Sequence, residues 1–185
     1  MAQSTDTFIE EMMMAMRGCV ALVTGKRDAP SYFDFSQRGL VSSLIAVLIA
    51  VILAGFGPLL VGGGAPGSAT QSIIVNVVLF LAQAGTGFIA LRTMGRSDGF
   101  VPYLTATNWV TLASSALLLV STLLGALGLV VLLVVLVMAL TTFVNIGRFV
   151  VTLQPLQIGI LFVSQAVGVF FAMALIAVML GAPAV

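Results

Sequence analysis

The sequence predicts an all-α protein, a polytopic helical membrane protein with five transmembrane helices preceded by an amphipathic interfacial helix. Three observations lead to this prediction. Of 185 residues, 61% are hydrophobic and only 7% are charged, whereas about a quarter of the residues in a soluble domain are charged. The few charges are separated by uncharged stretches long enough to cross a bilayer. The basic residues recur at alternate connections between those stretches, as the positive-inside rule requires.

The uncharged stretches define the predicted spans, because a helix of about 20 apolar residues crosses a hydrocarbon core. Residues 99–147 form one uncharged stretch of 49 residues, which as a single helix would reach about 73 Å. We expect this stretch to fold back at Gly125–Gly128, and a hairpin that does not cross fully is the alternative. The sequence therefore divides into an arm, residues 1–38, and a transmembrane domain, residues 39–182, with spans at 39–61, 70–91, 103–124, 127–147 and 156–180.

All seven basic residues fall on one side of the membrane in this predicted topology. Four precede the first span, two lie between spans two and three, and Arg148 lies between spans four and five. Because basic residues are retained in the cytoplasm, the N-terminus is predicted to be cytoplasmic and the C-terminus to lie on the opposite side. We interpret Arg148 as an anchor that reaches the lipid headgroups; a functional role in a cytoplasm-facing vestibule is the alternative. The predicted topology anchors are Arg38, Arg92, Arg96 and Arg148.

The arm contains a predicted amphipathic helix at residues 7–25. Thr7 and Glu10 have the spacing of a capping box, and Gly25 suits the position after a helix end. Two placements remain open: the helix lies in the headgroup plane with its apolar face down, or its methionine-rich face binds another protein. Cys19 is interpreted as an apolar packing residue, with a lipidation or redox site as the alternative. The apolar residues at helical spacing are Ile9, Met12, Met13, Met16, Val20 and Val23.

The residue types argue against most catalytic chemistry. The chain has no histidine and one cysteine, so a zinc site, an internal disulfide and a nucleophile–base pair are not expected. No predicted span contains a carboxylate, which argues against a proton relay. Nucleotide-binding glycine motifs are absent from the sequence. We therefore predict no catalytic residue, no cofactor and no metal, and the net charge of +1 indicates no nucleic-acid partner.

Uncharged polar residues are the remaining candidates for a site within the spans. One interpretation is hydrogen bonding between helices, at about 0.6 kcal/mol per contact and up to roughly 2 kcal/mol. The other is a neutral lining for the path of a small solute or a lipid headgroup. Ser164, Gly168 and Ala172 also form a ridge of small residues, which packs within the bundle or against a second copy. The candidate polar contacts are Asn76, Gln83, Asn108, Asn145, Ser164 and Gln165.

Two stretches resemble bacterial Yip1-domain membrane proteins: GFVPYLTATNWVTLASS, which contains Pro102 and Tyr103, and GRFVVTLQPLQIGILFVSQAVGV. The likeness covers residues 39–180 as a pattern of hydropathy and small residues, and it includes five spans after a cytoplasmic arm. The Asp-Leu-Tyr-Gly-Pro and Gly-Tyr signatures of eukaryotic members are absent from this sequence, so a link to small GTPases is not implied. The resemblance assigns no functional residue. Together with a composition rich in Ala, Val, Leu and Gly, it implies a bacterial inner membrane and a periplasmic C-terminus.

The predicted function is that of a non-catalytic membrane protein with an organising or assembly role, or one that interacts with lipids and proteins. Its expected partners are membrane lipids and other membrane proteins, including a second copy of itself. The alternative is a small transporter or channel subunit with a neutral polar lining.

A reporter enzyme fused after Val185 tests the predicted threading. We expect a reporter that is active only outside the cytosol to be active at this position, because five spans separate it from a cytoplasmic N-terminus. Arg148→Ala should leave this activity unchanged, since six other basic residues still favour the same orientation. A fusion that works only as a cytosolic reporter would contradict an odd number of crossings.

Overall fold

Six α-helices make up most of the part of the chain that the structure describes. The computed structural model describes residues 7–60 and 67–179. Within these residues the regular structure is helical, with no strand, which confirms the all-α prediction. The helices are α1 (Phe8–Val23), α2 (Gln37–Leu60), α3 (Ser68–Thr93), α4 (Phe100–Leu123), α5 (Gly128–Asn145) and α6 (Pro155–Met179).

Five of these helices, α2 to α6, are long and apolar enough to cross a membrane. The protein is therefore an integral membrane protein with five spans, as the sequence predicts. The α-helical part of α5 ends at Asn145, and the chain continues as a π-helix, Ile146–Val150. Residues 62–66 of the predicted glycine-rich loop, the predicted span ends at 61 and 180, and the tail 181–185 lie outside the described residues.

The apolar turn between α4 and α5 is short. A 3-10 turn, Gly125–Leu127, separates the end of α4 from the start of α5. Gly125 has φ +55°, a conformation that costs glycine nothing and strains other residues. The chain therefore reverses at the position where the sequence predicts the break, and α4 and α5 form an antiparallel pair.

The five spans form an incomplete ring. Helix α2 packs between α4 and α3, α5 packs on the other flank of α4, and α6 packs on α3. The order around the ring is thus α5, α4, α2, α3, α6. The two ends of this row approach each other where the rings of Phe143 on α5 and Phe162 on α6 lie 5.6 Å apart. We call the boundary between α5 and α6 the seam.

One end of the bundle carries the basic residues and is called the basic end. At this end α2, α4 and α6 begin, and α3 and α5 finish. The chain order therefore places Arg38, Arg92, Arg96 and Arg148 at the same end of the bundle. Arg148 is exposed, and its guanidinium carbon lies 5.3 Å from the centroid of the Phe149 ring.

Arg96 links two connections at the basic end. Its guanidinium donates hydrogen bonds to Val151 O, to Thr152 O at 3.0 Å and to Thr152 Oγ1 at 2.9 Å. Thr152 has φ +56°, an unusual conformation for a β-branched residue. Asp98 lies 3.7 Å from Nε of Arg96. Arg96 therefore holds the α5–α6 connection against the α3–α4 connection, a role that its prediction as a topology anchor did not include.

Helix α1 begins and ends as predicted. Thr7 Oγ1 accepts a bond from the Glu10 backbone N–H, and the Glu10 carboxylate accepts one from the Thr7 N–H, which confirms the capping box. Gly25, with φ +69°, follows the helix end, as expected for this position. Both predicted ends of α1 are therefore found in the structure.

Helix α1 docks across α4 and α5 at the basic end. Its first ring, Phe8, lies 5.9 Å from Trp109 of α4. Near its other end, the Leu22 carbonyl accepts a hydrogen bond of 2.7 Å from Asn145 Nδ2 at the end of α5. The side chains buried in this contact include Ala15, Cys19 and Leu22. The small residues face the bundle, so α1 lies close against the spans.

Neither predicted placement of the arm included docking against its own spans. The predicted apolar face is also divided between two environments. Met12 and Met16 pack against the core, whereas the side chains of Ile9, Met13 and Val20 remain 61%, 53% and 63% exposed. Helix α1 therefore has a buried inner face of small residues and an exposed outer stripe of larger apolar ones.

Helix α6 packs on α3 through its small residues. Gly168 faces Thr86 so closely that a β-carbon at Gly168 would overlap the threonine methyl group. Ala172, one turn further, is buried, and Ser164, one turn earlier, is half-buried. The sequence left open whether this ridge packs within the bundle or against a second copy. The contact with Thr86 of α3 is a contact within the bundle.

Gly168→Leu should destabilise the contact between α3 and α6, because the new side chain meets Thr86. We expect a loss of about 1–3 kcal/mol in the free energy of unfolding, which is typical of overpacking. The measurement is a denaturant titration in mixed micelles. Gly159→Leu is the matched control on the same helix, since a β-carbon at Gly159 meets no atom within 4 Å. Equal losses in both variants would contradict a close α3–α6 contact.

Candidate functional site

A half-open cavity of about 350 Å³ lies between the spans. Residues of α2, α3, α4 and α5 line it. Helix α6 (Pro155–Met179) does not line the cavity and packs on α3. The lining extends along α4 from Tyr103 to Leu118, about 22 Å of helix. Its volume falls within the range of small-molecule sites, about 300–1,000 Å³.

A stripe of uncharged polar side chains on α4 lines the cavity. The stripe recurs at intervals of three and four residues, so its members share one face of the helix. Asn76 and Gln83 of α3 and Thr142 of α5 add further uncharged polar groups. The described lining residues include no Asp, Glu, Lys or Arg. The members of the stripe are Tyr103, Thr107, Asn108, Thr111, Ser114 and Ser115.

Apolar side chains from all four helices complete the wall. They include Val47 of α2, Phe80 of α3, Leu118 of α4 and Phe143 of α5. A wall that mixes apolar surface with a few hydrogen-bonding groups is typical of a site for an amphipathic ligand. The cavity is thus suited to binding an uncharged group that has both a polar and an apolar part.

Several polar groups of the wall already donate their hydrogen bonds within the protein. Asn108 Nδ2 donates to Ser43 Oγ at 3.0 Å, and Asn76 Nδ2 donates to Ser72 O at 2.8 Å. The hydroxyls of Thr111 and Thr142 donate to backbone carbonyls one turn earlier in their own helices. Their oxygens keep acceptor capacity, and each of the two carboxamides keeps a second N–H, so the wall can both accept hydrogen bonds from a ligand and donate to it.

Among the six predicted polar contacts, Asn76, Gln83 and Asn108 line the cavity. The Asn108–Ser43 bond links α4 to α2, whereas the Asn76 bond stays within α3. The polar residues Thr107, Thr111, Ser114 and Ser115 were not among the predicted contacts. Their spacing along α4 is the signal that would have grouped them with Asn108 on one face.

The other three predicted contacts serve packing. Gln165 Nε2 of α6 donates to the backbone oxygen of Gln83 on α3 at 2.9 Å. Asn145 binds the arm through Leu22 O. The Ser164 hydroxyl donates to Ile160 O within its own helix, so its hydrogen bond does not link two helices.

Cys19 lies outside the cavity, on the inner face of α1. It is 6% exposed, and desolvation by burial raises the pKa of its thiol to about 12. The thiol therefore stays protonated at neutral pH, and the protonated form is a poor nucleophile. This environment favours the interpretation of Cys19 as an apolar packing residue over a lipidation or redox site.

The cavity wall has the chemistry of a binding site. Hydroxyl and carboxamide groups hold a ligand by hydrogen bonds, and the apolar side chains contact its hydrocarbon part. Within residues 7–60 and 67–179, no three His, Cys, Asp or Glu side chains are grouped so that they could hold a metal ion. The residues in the wall thus support recognition of a neutral ligand.

Comparisons with known proteins yield no relative of this chain. No protein-family model, no curated protein and no solved structure matches it. Its function is therefore inferred from the cavity, the ring of spans and the docked arm.

A double-mutant cycle tests the bond between Asn108 and Ser43. Replacing each residue singly and together by alanine should give a coupling energy of about 0.6 kcal/mol, and at most roughly 1.7 kcal/mol, as for other hydrogen bonds between membrane helices. The free energy of unfolding in mixed micelles is the quantity measured. The cycle of Asn76→Ala with Ser72→Ala is the control, because Asn76 binds the backbone of Ser72. A coupling near zero for Asn108 and Ser43 would contradict a stabilising bond between α2 and α4.

Proposed function

We infer that this protein is a non-catalytic component of a bacterial inner membrane that organises the membrane or its proteins by binding a lipid in the cavity. The single observation that carries this proposal is the lining of the cavity, which is uncharged, partly polar and partly apolar. A neutral lipid has the same combination, with hydrogen-bonding groups on a hydrocarbon body. The resemblance of spans three to five to bacterial Yip1-domain proteins implies five spans after a cytoplasmic arm and assigns no activity.

The seam supplies the route by which a lipid reaches the cavity. Helices α5 and α6 are neighbours around the ring, yet they make few contacts beyond the Phe143–Phe162 pair near the basic end. A lipid can therefore enter between them from the bilayer without passing through water. Lateral entry distinguishes a lipid site from a site for a water-soluble ligand.

The proposed orientation places the basic end in the cytoplasm. Four arginines lie there, and the remaining basic residues, Arg17, Lys26 and Arg27, belong to the arm that docks at this end. Basic residues on one side of a membrane protein favour the cytoplasmic face. The cavity, which follows α4 from Tyr103 to Leu118, then lies within the bilayer.

Transport of a small neutral solute is the second candidate function. It is favoured by the length of the polar stripe, which follows α4 from Tyr103 to Ser115 for about 18 Å of a bilayer core of about 30 Å. A path of hydroxyl and carboxamide groups would allow a neutral solute to exchange hydrogen bonds as it moves. In this role the protein would act as a small transporter or as a channel subunit.

Filling the cavity tests the lipid proposal. Ser115→Leu places an isobutyl group in the wall and should reduce the lipid retained by the purified protein several-fold, as measured by native mass spectrometry. Ala116→Leu is the matched control, because Ala116 is the next residue of α4, is exposed and does not line the cavity. Retention that is unchanged in Ser115→Leu would overturn binding in the cavity.

A flux assay in proteoliposomes separates the two candidate functions. The lipid proposal predicts no solute-specific flux. Flux that is lost in Gln83→Leu, which changes the wall, and kept in Gln165→Leu, which changes the α3–α6 contact, would establish transport instead.

A further inference from the structure

The outer side of the arm carries a second pocket, which lies apart from the cavity between the spans. It is open, has a volume of about 380 Å³ and combines two cations with apolar side chains and a phenol. Its ligand does not depend on what the cavity binds. The residues that line it are Met16, Arg17, Val20, Ala21, Lys26 and Tyr32.

The turn after α1 builds this pocket. Gly25, at φ +69°, reverses the chain, and the Lys26 N–H donates to Ala21 O at 2.9 Å. A 3-10 turn, Ala29–Tyr32, then carries the chain back along the helix. Lys26 and Tyr32 thereby come to the same side of α1 as Arg17, which lies nine residues before Lys26 in the sequence.

The charge of this region is positive. Residues 12–32 contain three basic side chains, Arg17, Lys26 and Arg27, and one acidic side chain, Asp28, so the net charge is 3 − 1 = +2. Glu10 and Glu11 lie in the first turn of α1, about 10 Å along the axis from Arg17. Arg17 and Lys26 are both exposed, so they are open to an anionic ligand.

The pocket continues an apolar stripe on the outer face of α1. Ile9, Met13, Arg17 and Val20 follow each other at intervals of three and four residues, and the three apolar members are 53% to 63% exposed. Helix α1 docks at the basic end, against Trp109 of α4 and Asn145 of α5, and the proposed orientation places this end at the level of the cytoplasmic headgroups. At this depth an apolar stripe with an embedded cation meets headgroups and the first acyl carbons.

We propose that this pocket binds the headgroup of an anionic phospholipid in the leaflet at the basic end. The phosphate lies between Arg17 and Lys26, and the Tyr32 hydroxyl supplies a further hydrogen-bond donor. The glycerol and the first acyl carbons lie on Met16 and Val20. A free phosphate ion matches only the cations, whereas a phospholipid matches the cations and the apolar stripe, and this complementarity identifies the lipid as the ligand.

Lipid titration of the full-length protein tests the assignment. The protein in a neutral detergent is titrated with short-chain phosphatidylglycerol, with phosphatidylcholine of equal chain length or with inorganic phosphate, and bound molecules are counted by native mass spectrometry. The double variant Arg17→Gln/Lys26→Gln should bind phosphatidylglycerol about 30-fold more weakly, since each cation near an anionic lipid contributes about fivefold. Retention of neutral lipid in the cavity should not change.

The matched control is Arg92→Gln/Arg148→Gln, which removes the same charge from exposed positions at the same end but outside the pocket. It should bind phosphatidylglycerol like the original protein. Equal weakening in both double variants, equal binding of phosphatidylcholine, or displacement of the lipid by millimolar inorganic phosphate would each overturn the proposal. If the Arg17/Lys26 double variant does not fold, each single substitution should weaken binding about fivefold, and unchanged binding in both would also overturn it.

Discussion

The close contact between α2 and α4 determines where the other helices pack. Both helices carry buried alanine and buried hydroxyl-bearing side chains. Helices in a bilayer gain little from hydrophobic burial, so small side chains that allow close approach supply the packing energy. The Asn108–Ser43 bond fixes how the two helices are aligned. Helices α3 and α5 then pack on the two flanks of this pair, and the cavity lies between them. The buried alanine, serine and threonine residues of the two helices are Ser43, Ala46, Ala50, Thr105 and Ala106.

The fold class and the number of spans could be predicted because both follow from the lengths of uncharged stretches. The docking of the arm against α4 and α5 could not be predicted from the sequence. Apolar periodicity selected the large side chains of α1, such as Ile9 and Val20, yet the small ones, such as Ala15 and Cys19, face the bundle. Close packing between helices favours small residues, so the most hydrophobic face of a membrane-associated helix is a poor guide to its protein contact. The partner of Phe8 is Trp109, 101 positions further along the sequence, and a single sequence does not report such pairs.

The candidate site was predicted in part. The absence of charge and the presence of Asn76, Gln83 and Asn108 followed from residue types within the spans. The full stripe on α4 could have been predicted from helical spacing, because residues 107, 111, 114 and 115 share one face of the helix. The contributions of Val47 and Thr142 depend on the order of the helices around the ring, and hydropathy carries no information about that order. Residue type alone also did not separate Asn108, which binds another helix, from Asn76, which binds its own.

The order of the helices around the ring differs from their order along the chain, and this has a consequence for biogenesis. Helix α6 is synthesised directly after α5, yet it packs on α3, at the opposite end of the row. The surface of α3 around Thr86 therefore gains its partner only when the last span has been made. A chain that ends before α6 can insert α2 to α5, yet it lacks the contact that covers this face of α3.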